Sequence, residues 1–141
     1  MRCILFLAAF TAASASAQPP RTQSPAPRDV LESLGSGNTD EALARAIAEA
    51  AAHPLGTLAN PVRVAGPEGE RAYLARLRCT DGRAPAIGTS SPAGVGAYGS
   101  LVDSHPLDCG RAAPGKTSLV TDRYHVENPE TRAPAGFQVA P

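Results

Sequence analysis

RAYLARLRCTDG, residues 71–82, is the stretch whose periodicity decides what kind of fold the chain adopts. Tyr73, Ala75, Leu77 and Cys79 fall on one side of an extended chain, and Arg76 and Arg78 on the other, which is the two-residue period of a half-buried strand. Asp81 and Gly82 supply turn chemistry at its end, and Pro67, Glu68, Gly69 and Glu70 read as the turn before it. The expected strand runs from Ala72 to Cys79.

Moving outward, the same period and similar turn signals recur. Pro61 to Ala65 is a short strand candidate, and Arg83 to Gly96 is a loop rich in Pro, Gly and Ser. Ala97 to Asp103 and Ser118 to Val126 are the next two strands, joined by a connection that carries Cys109 and a turn at Ala113, Pro114 and Gly115. Gly136 to Ala140 adds an edge strand. Upstream the period changes to 3.6: Asn38 as N-cap, Asp40 and Glu41 in the first turn, a run rich in Ala, and a stop at His53 and Pro54. Leu43, Ile47 and Ala50 or Ala51 form its narrow apolar stripe, beside an Arg45 and Glu49 pair. The expectation is an α+β fold, with one Ala-rich helix lying as a thin lid on a small, mostly antiparallel sheet.

The first seventeen residues read as an export signal. Arg2 supplies a positive charge, Cys3 to Ala13 is an apolar run, and Ala15, Ser16 and Ala17 make a small-x-small cleavage site. The run is too short for a membrane anchor, which needs roughly 18 to 20 apolar residues, and no later segment is apolar enough for stable membrane insertion. Residues 18–37 are a Pro- and Ser-rich linker, with one short turn at Asp29 to Leu34, and residues 38–141 form a single domain. The product is expected in the periplasm or secreted. Cleavage removes Cys3 and leaves Cys79 and Cys109, an even pair in an oxidising compartment, for which a structural disulfide is the expectation. A redox pair would show the Cys-x-x-Cys spacing that this pair lacks.

Composition narrows the function further. Thirteen basic and thirteen acidic residues leave no net charge to attract nucleic acid. Arg63, Arg71, Arg76, Arg78 and Arg83 cluster, but Glu68, Glu70 and Asp81 are interleaved with them, and Tyr73 is the lone aromatic there for base stacking. The 43% hydrophobic fraction is inflated by Ala, and Trp is absent, so the core is thin.

Few residues could carry chemistry. Gly94 to Gly99 matches G-x-G-x-x-G, but it precedes a strand-like run instead of a helix, so the glycines are read as relaxing a loop. Asp103 with His105, and His125 with Glu127, each share a strand face if the strands persist, and two imidazoles with two carboxylates suit Zn²⁺. Pro106 and Pro129 are expected to end those strands. Without metal, His125 and a carboxylate could move a proton. Asp122 is in phase with Val120, Tyr124 and Val126, which turns it toward the core with them. There it needs an arginine such as Arg76, Arg78 or Arg83, or the N–H groups of a turn; a raised-pKa catalytic acid is the alternative.

GPEGERAYLARLRCTDG, VGAYGSLVD, PLDCG and DRYH, within roughly residues 60 to 137, are similar to segments of uncharacterised small exported bacterial proteins. The resemblance implies bacterial export and one domain, with no catalytic residue or cofactor attached. The functional expectation is a non-catalytic envelope protein that needs no cofactor and binds a partner protein or polymer. The alternative is a small hydrolase, either metal-dependent through Asp103, His105, His125 and Glu127, or acid–base through His125 and Asp122.

Overall fold

The computed structural model describes residues 40–141; the expected export signal, linker and Asn38 cap lie outside the described residues. The element order is α1 (Asp40–Ala50), β1 (Val62–Arg63), α2 (Gly66–Arg76), β2 (Leu77–Arg78), β3 (Ala86–Ile87), β4 (Ser91–Val95), β5 (Leu101–Asp108), β6 (Lys116–Asp122) and β7 (Gln138–Val139). This is an α+β architecture, with a five-stranded sheet and a separate β2–β7 ribbon.

The decisive stretch differs from its expected form. Residues through Arg76 are helical, and only Leu77 and Arg78 are extended. The physical reason lies just upstream. Gly66 adopts φ +68°, Pro67 sits in the first turn where its missing N–H costs nothing, Glu68 follows it, and Arg76 occupies the last turn. What resembled a turn is a helix start. The helix buries Glu70, Tyr73 and Leu74, with Leu77 just beyond, at the three-to-four-residue spacing of one helical face.

There are consequently two helices. The one that fills the core is α2: Tyr73, Leu74 and Leu77 pack with Val62, Val64, Leu107 and Leu119, and Leu55, Phe137 and Val139 close the rim. The Ala-rich α1 buries Ala50 alone, so it is not the principal lid.

The five-stranded sheet centres on the β5–β6 hairpin, in register from Asp103 opposite Thr121 to Asp108 opposite Lys116. On one side β1 joins β6 in parallel, pairing Val62 with Thr121 and Arg63 with Asp122; on the other, β3 and β4 both pair β5 antiparallel. The long 83–96 loop thus contains two strands. The strand expected at Ala97 begins at Leu101, because Gly96 to Ser100 form a turn closed by the Gly96 N–H on the Ser100 carbonyl (2.9 Å), with Gly99 at φ +82°. Nor does Pro106 end β5. Its carbonyl accepts the Gly88 N–H (2.8 Å), so its missing N–H faces the same outer side, between β3 and β4, where no ladder bond is interrupted.

Cys79 and Cys109 are bridged, with Cα atoms 5.8 Å apart, fastening the end of β2 to the end of β5. No helix among the described residues is long and apolar enough to cross a membrane.

Candidate functional site

Thr121 and Asp122 end β6, and because successive strand residues face opposite ways they organise a polar cluster on each side of the sheet. On the α2 side, the Thr121 hydroxyl donates to Glu70 Oε1 (2.5 Å). His105 Nε2 lies 3.1 Å from both Glu70 Oε1 and Thr121 Oγ1. With Thr121 donating its proton to Glu70, the arrangement is consistent when Nε2–H is shared between the two oxygens. Glu70, His105 and Thr121 are all buried, and the network joins helix to sheet inside the apolar core.

On the opposite side Asp122 is wholly buried. Its Oδ1 accepts the Tyr124 N–H (3.1 Å), an Asx-type turn that stops the strand, and its Oδ2 accepts the Ser100 hydroxyl. His125 Nε2 is 3.2 Å from the same Oδ2, yet neither ring nitrogen makes a hydrogen bond, although the side chain is only 5% exposed. The Tyr98 ring meets the imidazole edge-on at 5.0 Å and donates its hydroxyl to Asn60 Oδ1 (3.0 Å). Burial alone would raise the Asp122 pKa. The contacts with His125, Ser100 and the Tyr124 amide outweigh it and hold the carboxyl below its ordinary value. Burial lifts the Tyr98 phenol above its usual range, against the opposing pull of Arg63.

The turn residues place this cluster. Gly96 has no Cβ because one would lie 2.7 Å from Val102 Cγ1 and 3.0 Å from the Pro61 ring. That close approach brings Tyr98 and Ser100 down onto the sheet. Beyond Tyr98, Arg63 pairs with Glu130 (3.1 Å) and lies 5.8 Å from the Tyr98 ring centre. Glu130 also receives the Arg132 guanidinium at 3.0 and 2.8 Å and the backbone N–H groups of Thr131 and Arg132. Led by the Arg132 bonds, these contacts lower its pKa to about 2.

The candidate residues separate accordingly. Asp103 forms an ion pair with Arg123 at 2.5 Å, His105 turns to Glu70, His125 turns to Asp122, and Glu127 is exposed. Asp103 and His105 do share a face of β5, but the ladder places them opposite Thr121 and Leu119, with His125 beyond the end of β6. Among the described residues no three His, Cys, Asp or Glu side chains are grouped to hold a metal ion.

His125 and Asp122 do meet. The arginines suggested for Asp122 are engaged elsewhere: Arg76 with the Ala140 carbonyl, Arg78 with those of Ala75 and Leu77, and Arg83 beside Asp81. A turn N–H serves Asp122 instead. Tyr124 and Val126, expected inside with it, are exposed because β6 ends at Asp122. Ser100, Glu70, Thr121 and Glu130 had no motif to mark them; the glycines around Ser100 were the nearest signal.

The chemistry open to the cluster is limited by its order. In a serine nucleophile's relay the imidazole lies between hydroxyl and carboxylate; here the carboxylate lies between hydroxyl and imidazole, so Ser100 gives its proton to Asp122 and is not activated. A second pattern fails similarly. Gly110 to Thr117 spells G-x-x-x-x-G-K-T, the phosphate-loop pattern, but it leads into a strand. Four of its amides are also occupied: Gly110 on Asp108, Ala112 on the Cys109 carbonyl, Ala113 on Thr80 and Gly115 on the Ala112 carbonyl. No protein family, curated protein or solved structure matches the chain.

Proposed function

We propose that the protein is a non-catalytic module of the bacterial envelope, periplasmic or secreted, that binds a partner protein or polymer. The observation that supports this reading is an apolar surface around the end of the sheet. Val95 and Leu101 face each other across β4 and β5, and Tyr124 and Val126 follow the end of β6, each more than 60% exposed. A chain with so thin a core would stabilise itself by burying such residues, so leaving them in water fits a surface that is covered on binding. The Glu70–His105 and Asp122–His125 pairs are, by contrast, closed within the fold. A disulfide accords with an oxidising compartment.

Site-specific photo-crosslinking tests this reading in cells producing the protein. A crosslinker at Tyr124 should yield a discrete adduct that Leu101→Asp abolishes, whereas one at Arg71, on the exposed side of α2, should not. Equal or absent adducts at both positions would refute it. The His125–Asp122 contact favours a second reading, acid–base hydrolysis by that pair; it requires that His125→Asn abolish a hydrolytic activity of the purified protein.

A further inference from the structure

The imidazole of His125 is poorly served by the place it fills. Neither ring nitrogen makes a hydrogen bond and both are out of water; Nε2 keeps only its 3.2 Å contact with Asp122 Oδ2, so the ring forgoes hydration that an outward rotamer would restore. Its neighbours in sequence, Tyr124 and Val126, are already exposed. The backbone there is held independently, since the His125 N–H bonds to the Val64 carbonyl (3.2 Å) and the Gly66 N–H to that of Arg123 (2.9 Å). Rotation of the side chain breaks neither bond.

Such rotation would uncover the Asp122 carboxylate, fixed by Ser100 and the Tyr124 amide, and would vacate a place 5.0 Å from the centre of the Tyr98 ring. The nearby guanidinium groups of Arg63 and Arg132 are committed to Glu130. Once the imidazole has left, a buried carboxylate with no arginine or lysine of its own favours a cation in the vacated place, where the Tyr98 ring would also attract it. We propose that Asp122, Ser100 and Tyr98 form a cation site that His125 plugs from within the chain, and that the plug swings out to admit an alkylammonium group such as a partner's lysine side chain. This deepens the binding reading above and rests on it only for the source of the cation.

The intact disulfide-bonded protein provides the test. Diethyl pyrocarbonate labelling, read residue by residue by mass spectrometry, compares His125 with exposed His53 and with buried, hydrogen-bonded His105. His125 should react more slowly than His53 but at least about tenfold faster than His105, as local opening requires. Protection equal to that of His105 would overturn the proposal. In His125→Ala, methylammonium chloride should raise the melting temperature while acetamide does not, and adding Asp122→Asn should remove the effect. An equal response to both compounds would also overturn it. If His125→Ala does not fold, the labelling rates decide alone. Neither measurement involves a partner, so a failed crosslink at Tyr124 and a failed plug are separate results.

Discussion

Glu130 illustrates how much one side chain can organise. It is buried, holds two arginines and two backbone amides, and connects the 128–132 segment to β1 through Arg63. Glu130→Ala leaves the largely buried Arg63 guanidinium uncompensated and should cost about 3 kcal/mol in urea unfolding. The same carboxylate sets a pH dependence. Its folded pKa, about 2, lies below the ordinary value of 4.5, so its contribution is complete above 4.5 and is lost as pH falls from there toward 2. Glu130→Gln should therefore flatten the fall in stability between pH 4.5 and 2, measured by denaturation across that window. Asp122→Asn should cost about 1–3 kcal/mol, because a fully buried acceptor of two hydrogen bonds is altered; unchanged stability would contradict its burial. At this scale the sequence disclosed the phase of Asp122 but not its partners. Ser100 is 22 residues away, and for the Thr121–Glu70 bond the separation is 51, distances over which spacing carries no information.

At the scale of elements, residues 70–79 satisfy two periods at once. Tyr73, Leu77 and Cys79 suit a strand, while Glu70, Tyr73, Leu74 and Leu77 suit a helix, and the Gly66–Pro67 start settles the competition. Ala72→Pro, in the exposed middle of α2, should cost about 3 kcal/mol or more and lower the melting temperature sharply; an edge strand would tolerate it far better. Gly96→Ala should cost about 1–3 kcal/mol, since the added methyl meets Val102 and Pro61 side chains. Thermal denaturation checks both. The bend at Asp81 and Gly82, the β1 position and the last edge strand were legible because turn chemistry is local. The lengths of β5 and β6 were not, since Pro106 is tolerated only by virtue of what lies outside it, and β6 stops where Asp122 captures a turn amide.

For the molecule as a whole, the neutral, Trp-free composition pointed to a small core, and ten apolar side chains constitute its main cluster and rim. A covalent tie matters more in such a fold. Closing the chain between Cys79 and Cys109 should contribute about 3–4 kcal/mol in the chain-entropy description. Cys79→Ser with Cys109→Ser should shift the urea midpoint accordingly, and mild reduction of the native protein should reproduce the shift. The order of the elements gives that tie a kinetic meaning. Leu77 pairs with Val139 and Val62 with Thr121, so the sheet and the ribbon both wait for late parts of the chain, a topology that slows folding. Both cysteines, however, precede β6 and β7. In a chain emerging N-terminus first, the thiols are available for oxidation before the strands that complete the fold arrive, so the bond can shorten the later search instead of merely recording its outcome.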